Sequence, residues 1–383
     1  MTIIQIGPFP INPSIIQGGV EASVYGLAIA QSESDRVYVL DTPRRDAKDC
    51  LDNVGGISIY RFNNPGKHQK DAVVRVEDML NIVLSLKPDI CHIHGTSFLS
   101  NALIKSLRKS GIPVILTVHG LATIEKRNAL KQHFSIKTLY QYLTQSRCEK
   151  KILSSQETVL VDTNYVVRAI KGFKLRRSPQ MVVIPQGIND IYYSLNSSKT
   201  SRTILSVGSI SRRKGHIQLV KAFNIAAQEI EDINLIICGV LADVQYFAEL
   251  KNVISSLPNK DRITLMTNVP KEELVRLYSR AHLFALHTQE ESQGIVFAEA
   301  MAGGLPIVST TVGGVPDIVQ DGKCGILSNY GDIDSFAESM VILMKSISTW
   351  ERMSSNCKKA SAYYSWETIR NRVENEYKRA ISL

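Results

Sequence analysis

Residues 283–310 read LFALHTQEESQGIVFAEAMAGGLPIVST, and the order of their parts decides the fold. A short apolar run, LFAL (283–286), is followed by a polar, turn-rich loop that ends at Gly294. IVFAEAMA then supplies strong helix formers, and GLP (304–306) breaks the pattern before the strand-like PIVST (306–310). Strand, loop, helix and strand in succession are the unit of a parallel sheet covered by helices.

The same alternation runs outward from this stretch in both directions. Upstream, strands are expected at TIIQIG (2–7), RVYVL (36–40), ISIYR (57–61), ICHIH (90–94), VILTVH (114–119), TVLVD (158–162) and MVVIP (181–185). Helix-like stretches lie between them, among them EASVYGLAIAQ (21–31) and DAVVRVEDMLNIVLSLK (71–87). A second series begins with TILSVG (203–208), LIICG (235–239) and ITLM (263–266), with helices expected at 217–230 and 271–281. SLNSSKTSR (194–202) is polar and aperiodic, which suits a linker. The division expected is therefore a first domain over 1–193, a linker over 194–202, a second domain over 203–365 and an amphipathic terminal helix over 366–383. Two doubly wound α/β domains in tandem place a ligand site at the carboxyl ends of the strands, in the crevice between them.

Composition narrows the class. The chain has 383 residues, 44% hydrophobic and 21% charged, enough for two ordinary cores. Its net charge of +9 suits nucleic acid, an anionic membrane surface or an anionic substrate, and charge alone does not choose among them. Six scattered cysteines form no C-x-x-C pair, so neither a zinc site nor a disulfide scaffold is implied and a reducing compartment fits. The opening MTIIQIGPFP has no basic leader, so no signal peptide is expected, and no run of 18 apolar residues is present to cross a membrane.

Several constellations could carry chemistry. Glu291 and Glu299 stand eight residues apart around Gly294, where a helix should open. A helix N-terminus attracts anions, and an acid on either side offers partners for hydroxyl groups. That layout suits a nucleotide-sugar, with its sugar, diphosphate and ribose, although a buried helix with an acid at each end has the same spacing. QGGVEASVYGLA (17–28) places Gly18 and Gly19 before a helix, allowing close backbone approach, but it is no G-x-G-x-x-G fingerprint and gives a nicotinamide cofactor no support. His119 ends the strand VILTVH at the carboxyl edge of the sheet. His92 and His94 alternate onto one face of their strand, with no third ligand to suggest a metal. SVGSISRRKGHIQLV (206–220) sets Arg212, Arg213 and Lys214 between a strand end and a helix, where they could neutralise a diphosphate. Asp332 and Asp334 form a D-x-D string that reads as a helix cap.

These stretches together resemble glycosyltransferase family four, the retaining GT-B enzymes with an E-x7-E motif, here Glu291 and Glu299. The likeness extends to GGVPDIVQDGKCGIL (313–327), taken as a loop, to IPQGIND (184–190) and to ICGVL (237–241). It implies two Rossmann-like domains facing a deep cleft, the acceptor in the first and the donor in the second, with the last helix crossing back to the first. It further implies His119 and Glu291 against the donor sugar and Glu299 against the ribose. Gly239 would line the base pocket, and Gly18, Gly19, Ser292, Gly294, Ile295 and Val296 would contact the donor. Lys214 and Gly215 match the family's G-R-x-x-x-x-K-G element, but Ser209 stands where its arginine belongs, which leaves Arg212 or Arg213 to assist Lys214. No cofactor or metal is expected, since basic groups and a helix start stabilise the leaving diphosphate.

Retention without an evident nucleophile points to front-face attack assisted by the leaving phosphate. An epimerase, a phosphorylase or a non-catalytic nucleotide-sugar-binding subunit are the alternatives on this fold. The basic stretch 125–153, with Phe134, Leu139, Tyr140, Tyr142 and Leu143 at helical spacing, reads either as an amphipathic surface helix or as a patch that meets anionic lipid near the acceptor. KGFKLRR (171–177) adds to its charge. The partners expected are a nucleotide-sugar, a glycan or lipid-linked acceptor in cell-surface polysaccharide assembly, and peripheral contact with an anionic membrane from the cytoplasm, with no nucleic acid.

Overall fold

The computed structural model describes residues 1–382 except 14, 15, 17, 46, 67, 133 and 196–201, together with the side chains of 69, 131 and 132, which are also left out. Most of the expected linker, residues 196–201, thus lies outside the described residues. The chain forms two compact units, one of Met1–Ile11, Gly19–Gln186 and Trp366–Leu383, the other of Asn12–Gly18 and Gly187–Ser365. Residues 187–193, expected in the first domain, therefore belong to the second unit, because Ile188 and Tyr192 are buried in its core.

The first unit holds β1 (Thr2–Gly7), β2 (Arg36–Asp41), β3 (Cys50–Val54), β4 (Ile57–Arg61), β5 (Ile90–His94), β6 (Val114–Val118), β7 (Thr158–Val161) and β8 (Gln180–Val183). Their order is β3-β4-β2-β1-β5-β6-β7-β8, parallel except for the β3–β4 hairpin. The order reverses at β1 and β5, a topological switch point. β3 was not expected from the sequence. It is an exposed edge strand without apolar alternation, and the two glycines that turn it into β4, Gly55 and Gly56, have φ of 59° and 84°. Two positive φ values in a two-residue loop make the tight hairpin turn that matches sheet twist.

The last helix, Trp366–Ile381, packs in this same unit, with Ile369, Val373 and Tyr377 buried under the sheet. It crosses helix Gly19–Ser32 at Gly26, where a Cβ would lie 2.2 Å from the Trp366 ring. Only glycine leaves room for that crossing.

The second unit holds β9 (Thr203–Val207), β10 (Asn234–Gly239), β11 (Ile263–Thr267), β12 (Leu283–Leu286), β13 (Ile307–Thr310) and β14 (Gly325–Ser328). The order is β11-β10-β9-β12-β13-β14 and every pair is parallel. The switch point lies between β9 and β12. The stretch 313–327, expected to be a loop, contains helix Val315–Val319 and most of β14. Both elements are too short to show a period, and Gly322 and Gly325 conceal the strand.

Helices His216–Glu229 and Ile333–Lys345 cover one face through Phe223 and Phe336. Helices Lys271–Arg280 and Ile295–Ala302 cover the other through Tyr278 and Phe297. Each such ring, fully buried, contributes roughly 1.5–3 kcal/mol relative to exposure. These two faces fix the loops that leave β9 and β12.

Candidate active site

The loop after β9 is built on close backbone approaches. Gly208 N–H donates to the Cys238 carbonyl at 3.0 Å, and a Cβ on Gly239 would lie 1.8 Å from the Gly208 carbonyl. The chain then makes a single helical turn, Arg212–Lys214, and leaves it through Gly215 at φ 62°. A side chain there would meet the His287 carbonyl at 1.9 Å. Gly215 thereby ties the β9 loop to the β12 loop, and Gln289 N–H adds a bond to the Arg213 carbonyl at 2.8 Å.

The β12 loop is held from its other side by the segment after β13. Gly314 N–H donates to the Glu291 carbonyl at 2.8 Å, and Gly313, at φ 56°, lies so close that a Cβ would be 2.0 Å from that oxygen. Thr310 Oγ1 donates to the Thr288 carbonyl at 2.6 Å. Loops from three strand ends thus converge on Glu291.

Their side chains meet there. Lys214 Nζ donates to Glu291 Oε2 in an ion pair, and both residues are buried. Arg213 lies 3.8 Å from Glu291 Oε1 and donates to the Glu290 carbonyl at 2.8 Å. Burial holds the Lys214 ammonium below the usual lysine range, and Glu291 acts against that shift. Arg212 turns elsewhere, pairing with Glu249 at 2.6 Å and stacking over Tyr246 at 5.2 Å. Of the two arginines expected to assist Lys214, the structure brings only Arg213 to Glu291. Ser209, half-buried, faces Ser211.

Helix Ile295–Ala302 opens at Gly294, whose φ is 79°, and a Cβ there would press on Phe297 and on Glu291 Cγ. Ser292, Gly294, Ile295 and Val296 are all partly exposed, so the helix start is open. Glu299, one turn on and partly exposed, accepts a hydrogen bond from Tyr278 at 3.0 Å and another from Tyr192. Burial lifts its carboxyl to about 7 against the pull of both tyrosines and of Lys271.

The first unit has its own polar cluster at the ends of β5, β6 and β7. His119 Nδ1 lies 3.1 Å from Asp162 Oδ2, and its Nε2 lies 3.0 Å from His94 Nδ1. His94 Nε2 reaches Gln5 at 2.7 Å, and His92 bridges Tyr377 at 2.7 Å and Thr117 at 2.6 Å. The His92 and His94 rings stack at 4.1 Å, as their shared face requires. Desolvation pushes His92 down to about 3 and His94 well below its ordinary value. Both nitrogens of His119 are therefore engaged inside the unit, and a bond from its ring to a sugar would require release from one partner. Gly19 opens the first helix, and Gly18 ends the segment counted with the second unit. Glu21 pairs with Arg44 at 3.2 Å. Among the described residues no group of three or more His, Cys, Asp or Glu could hold a metal ion. Asp332 caps helix Ile333–Lys345 by accepting from Ser335 N–H at 3.1 Å.

Sequence reasoning missed Tyr192, Tyr278, Asp162 and Gln186, whose amide donates to Asp162 Oδ2 at 2.8 Å beside His119. Asp162 carried a signal, an acid closing the apolar run TVLV; the tyrosines carried none.

The family model for glycosyltransferase family 4 matches residues 17–191, and that for group 1 glycosyl transferases matches residues 189–360. The chain belongs to glycosyltransferase family four. It is a transferase with the GT-B fold that works with nucleotide-sugar donors. D-inositol 3-phosphate glycosyltransferase of Corynebacterium aurimucosum is 24% identical over 394 residues, covering 91% of this chain and 91% of that protein. The enzyme of the same name from Corynebacterium diphtheriae is 26% identical over 308 residues, 74% of this chain and 70% of that one. Among solved structures, sucrose-phosphate synthase from Thermosynechococcus elongatus superposes with a TM-score of 0.82 at 21% identity, over 100% of both chains. The Anabaena protein HepE in complex with UDP superposes with a TM-score of 0.74 at 18% identity, over 99% of this chain and 100% of that one. No helix among the described residues is long and apolar enough to cross a membrane.

Proposed function

We propose that this family-four enzyme transfers a sugar with retention of anomeric configuration to a glycan or lipid-linked acceptor in cell-surface polysaccharide assembly. The observation that carries the donor half of this reading is the convergence of Lys214, Arg213 and the open helix start at Gly294 on Glu291 at the switch point. Lys214, Arg213 and the first N–H groups of helix Ile295–Ala302 hold the diphosphate, Glu291 meets the sugar and Glu299 the ribose. HepE has been solved with UDP and with UDP-glucose, which makes uridine donors the first to test.

Glu291 is committed to Lys214, and a carboxylate so engaged is a poor nucleophile. Front-face attack follows. The acceptor hydroxyl bonds to the anomeric carbon as the bond to the diphosphate oxygen breaks, and its proton passes to the departing phosphate. Lys214 and Arg213 stabilise the charge that accumulates there.

For the acceptor, support comes from helices Ala122–Gln132 and Ile136–Ser155. Ile136, Tyr140 and Leu143, at i, i+4 and i+7, are exposed by 79%, 67% and 44%, with Phe134 exposed just before them. Lys137, Arg127 and Arg147 are exposed on the same two helices. An apolar stripe flanked by cations suits the headgroup region of an anionic bilayer on the cytoplasmic side. WaaG, a solved glycosyltransferase involved in lipopolysaccharide biosynthesis, shares the fold with a TM-score of 0.73 at 14% identity.

The test begins with a mass-spectrometric screen of nucleotide-sugars for turnover. NMR of the product formed by the active donor must show the donor's own anomeric configuration; an inverted product refutes retention. Flotation with anionic vesicles at low and high salt should show salt-sensitive binding that Tyr140→Ser weakens. Absence of binding at low salt overturns the membrane reading and favours a soluble acceptor.

A further inference from the structure

Glu299 does not stand alone. Tyr278, fully buried on helix Lys271–Arg280, places its hydroxyl 3.0 Å from Glu299 Oε2. Tyr192, also buried, comes from the short helical turn Asp190–Ser194, and its hydroxyl faces the same carboxylate and favours its ionised form. The two rings meet edge to face at 5.3 Å, and Tyr278 stacks on Phe284 of β12 at 6.2 Å. Each hydroxyl is thereby fixed by ring packing rather than by the surface. Of the three residues only Glu299 is partly open to solvent.

We propose that Tyr192 and Tyr278 are positioning residues, which hold the Glu299 carboxylate in one orientation so that its remaining lone pairs accept both hydroxyls of the donor's ribose. This rests on the reading of Glu299 as the ribose partner. A carboxylate offers about four acceptor sites, so two tyrosine bonds leave two for a vicinal diol. The environment explains why such support is needed. Burial raises the Glu299 carboxyl to about 7, the tyrosine hydroxyls and the distant Lys271 oppose the rise, and Cys238 on β10 also faces it. The two donors favour the ionised form against that rise, and losing either favours the protonated acid, which presents a hydrogen where the ribose needs an acceptor.

Calorimetric titrations of UDP and 2′-deoxy-UDP, with GDP, ADP and their deoxy forms in parallel, test this on the full chain from pH 6 to 8. The wild type should prefer the ribonucleotide by about tenfold, the scale of one hydrogen bond to a charged group. Its affinity should fall as pH drops below about 7. Tyr278→Phe should cut the preference to about threefold, move the pH midpoint upward, and leave binding of the deoxy form nearly unchanged. Tyr192→Phe should act in the same direction. If both variants keep the wild-type preference and midpoint while Glu299→Gln loses them, the inference fails and the ribose reading stands. If Glu299→Gln also keeps the preference, or the wild type has none, the ribose reading fails with it. A loss of affinity equal for both ligands, with the midpoint unmoved, assigns the tyrosines a packing role only and overturns the proposal.

Discussion

Replacing Glu291 by glutamine should destabilise the second unit and should make its stability depend on an added diphosphate. The side chains of Lys214 and Glu291 are only 9% and 11% exposed, so each charge relies on the other for what water no longer supplies. Removing one member of a buried pair costs about 3 kcal/mol or more, because the survivor stays desolvated and unpaired. In a unit of this size that should lower the melting temperature by about 6–12 °C. Lys214→Met should cost about half as much, since Glu291 keeps Arg213 at 3.8 Å. The pair should also be non-additive, the double variant being less damaged than the sum. UDP carries the diphosphate but no sugar, so it bypasses any role of Glu291 toward the sugar. Saturating UDP, about 100 times its Kd, stabilises by about 2.7 kcal/mol through mass action. In Glu291→Gln it also replaces the missing countercharge and so binds more tightly, and at equal UDP concentration its melting shift should exceed that of the wild type, while Lys214→Met should show almost none. Differential scanning calorimetry resolves the two units if they melt separately. A Glu291→Gln protein melting within 1 °C of wild type (about 0.3 kcal/mol on this scale), or one whose UDP shift is no larger, would refute the resting-pair argument.

Three further outcomes are expected. Arg212→Ala should leave UDP affinity unchanged and cost about 0–1 kcal/mol of stability, because its pair with Glu249 is exposed; Arg213→Ala should weaken UDP binding several-fold, and calorimetry on the two variants checks the assignment. Gly215→Ala should destabilise by more than about 1 kcal/mol and abolish UDP binding, since φ of 62° and a Cβ 1.9 Å from the His287 carbonyl displace Lys214; urea unfolding with UDP titration reads both. Glu149 is buried, its donors among the described residues are the neutral Thr96, Gln145 and Thr123, and burial raises its carboxyl above 4.5. As pH rises past 4.5 the unfolded chain releases a proton that the folded one keeps, so stability falls through that window, and Glu149→Gln should remove the fall in urea unfolding followed against pH.

The fold was legible because strands buried on both faces read as apolar runs, as TIIQIG, LIICG and LFAL do. It failed where burial is one-sided or the element short. The exposed edge β3 shows no alternation, and β14 hides behind two glycines. Lys214, Glu291 and Gly294 were legible since each lies at a strand end or helix start that local chemistry marks. The choice between Arg212 and Arg213 was not, because adjacent residues on a single 3-10 turn point about 120° apart and only packing decides which faces Glu291. Tyr192 and Tyr278 left no trace, as a tyrosine that packs and one that also supports a carboxylate look alike in sequence.

The absent cation at position 209 has a physical reading in the charge balance of the cluster. Lys214 and Arg213 against Glu291 leave one net positive charge before any ligand arrives, to which the helix start at Gly294 adds about half a charge. A diphosphate bound there meets cations from consecutive residues of one turn, rather than from opposite ends of the loop. Lys214 is fixed by burial and by Gly215, whereas the Arg213 side chain is 42% exposed and held mainly by the Glu290 carbonyl. The first is therefore the preorganised contact and the second the adaptable one. As the anomeric bond breaks and charge grows on the leaving phosphate, a side chain free to shift can follow that charge. Lys214→Met should accordingly lower UDP affinity and transfer rate together, whereas Arg213→Ala should cost more in rate than the several-fold it costs in affinity, as calorimetry beside single-turnover kinetics would read.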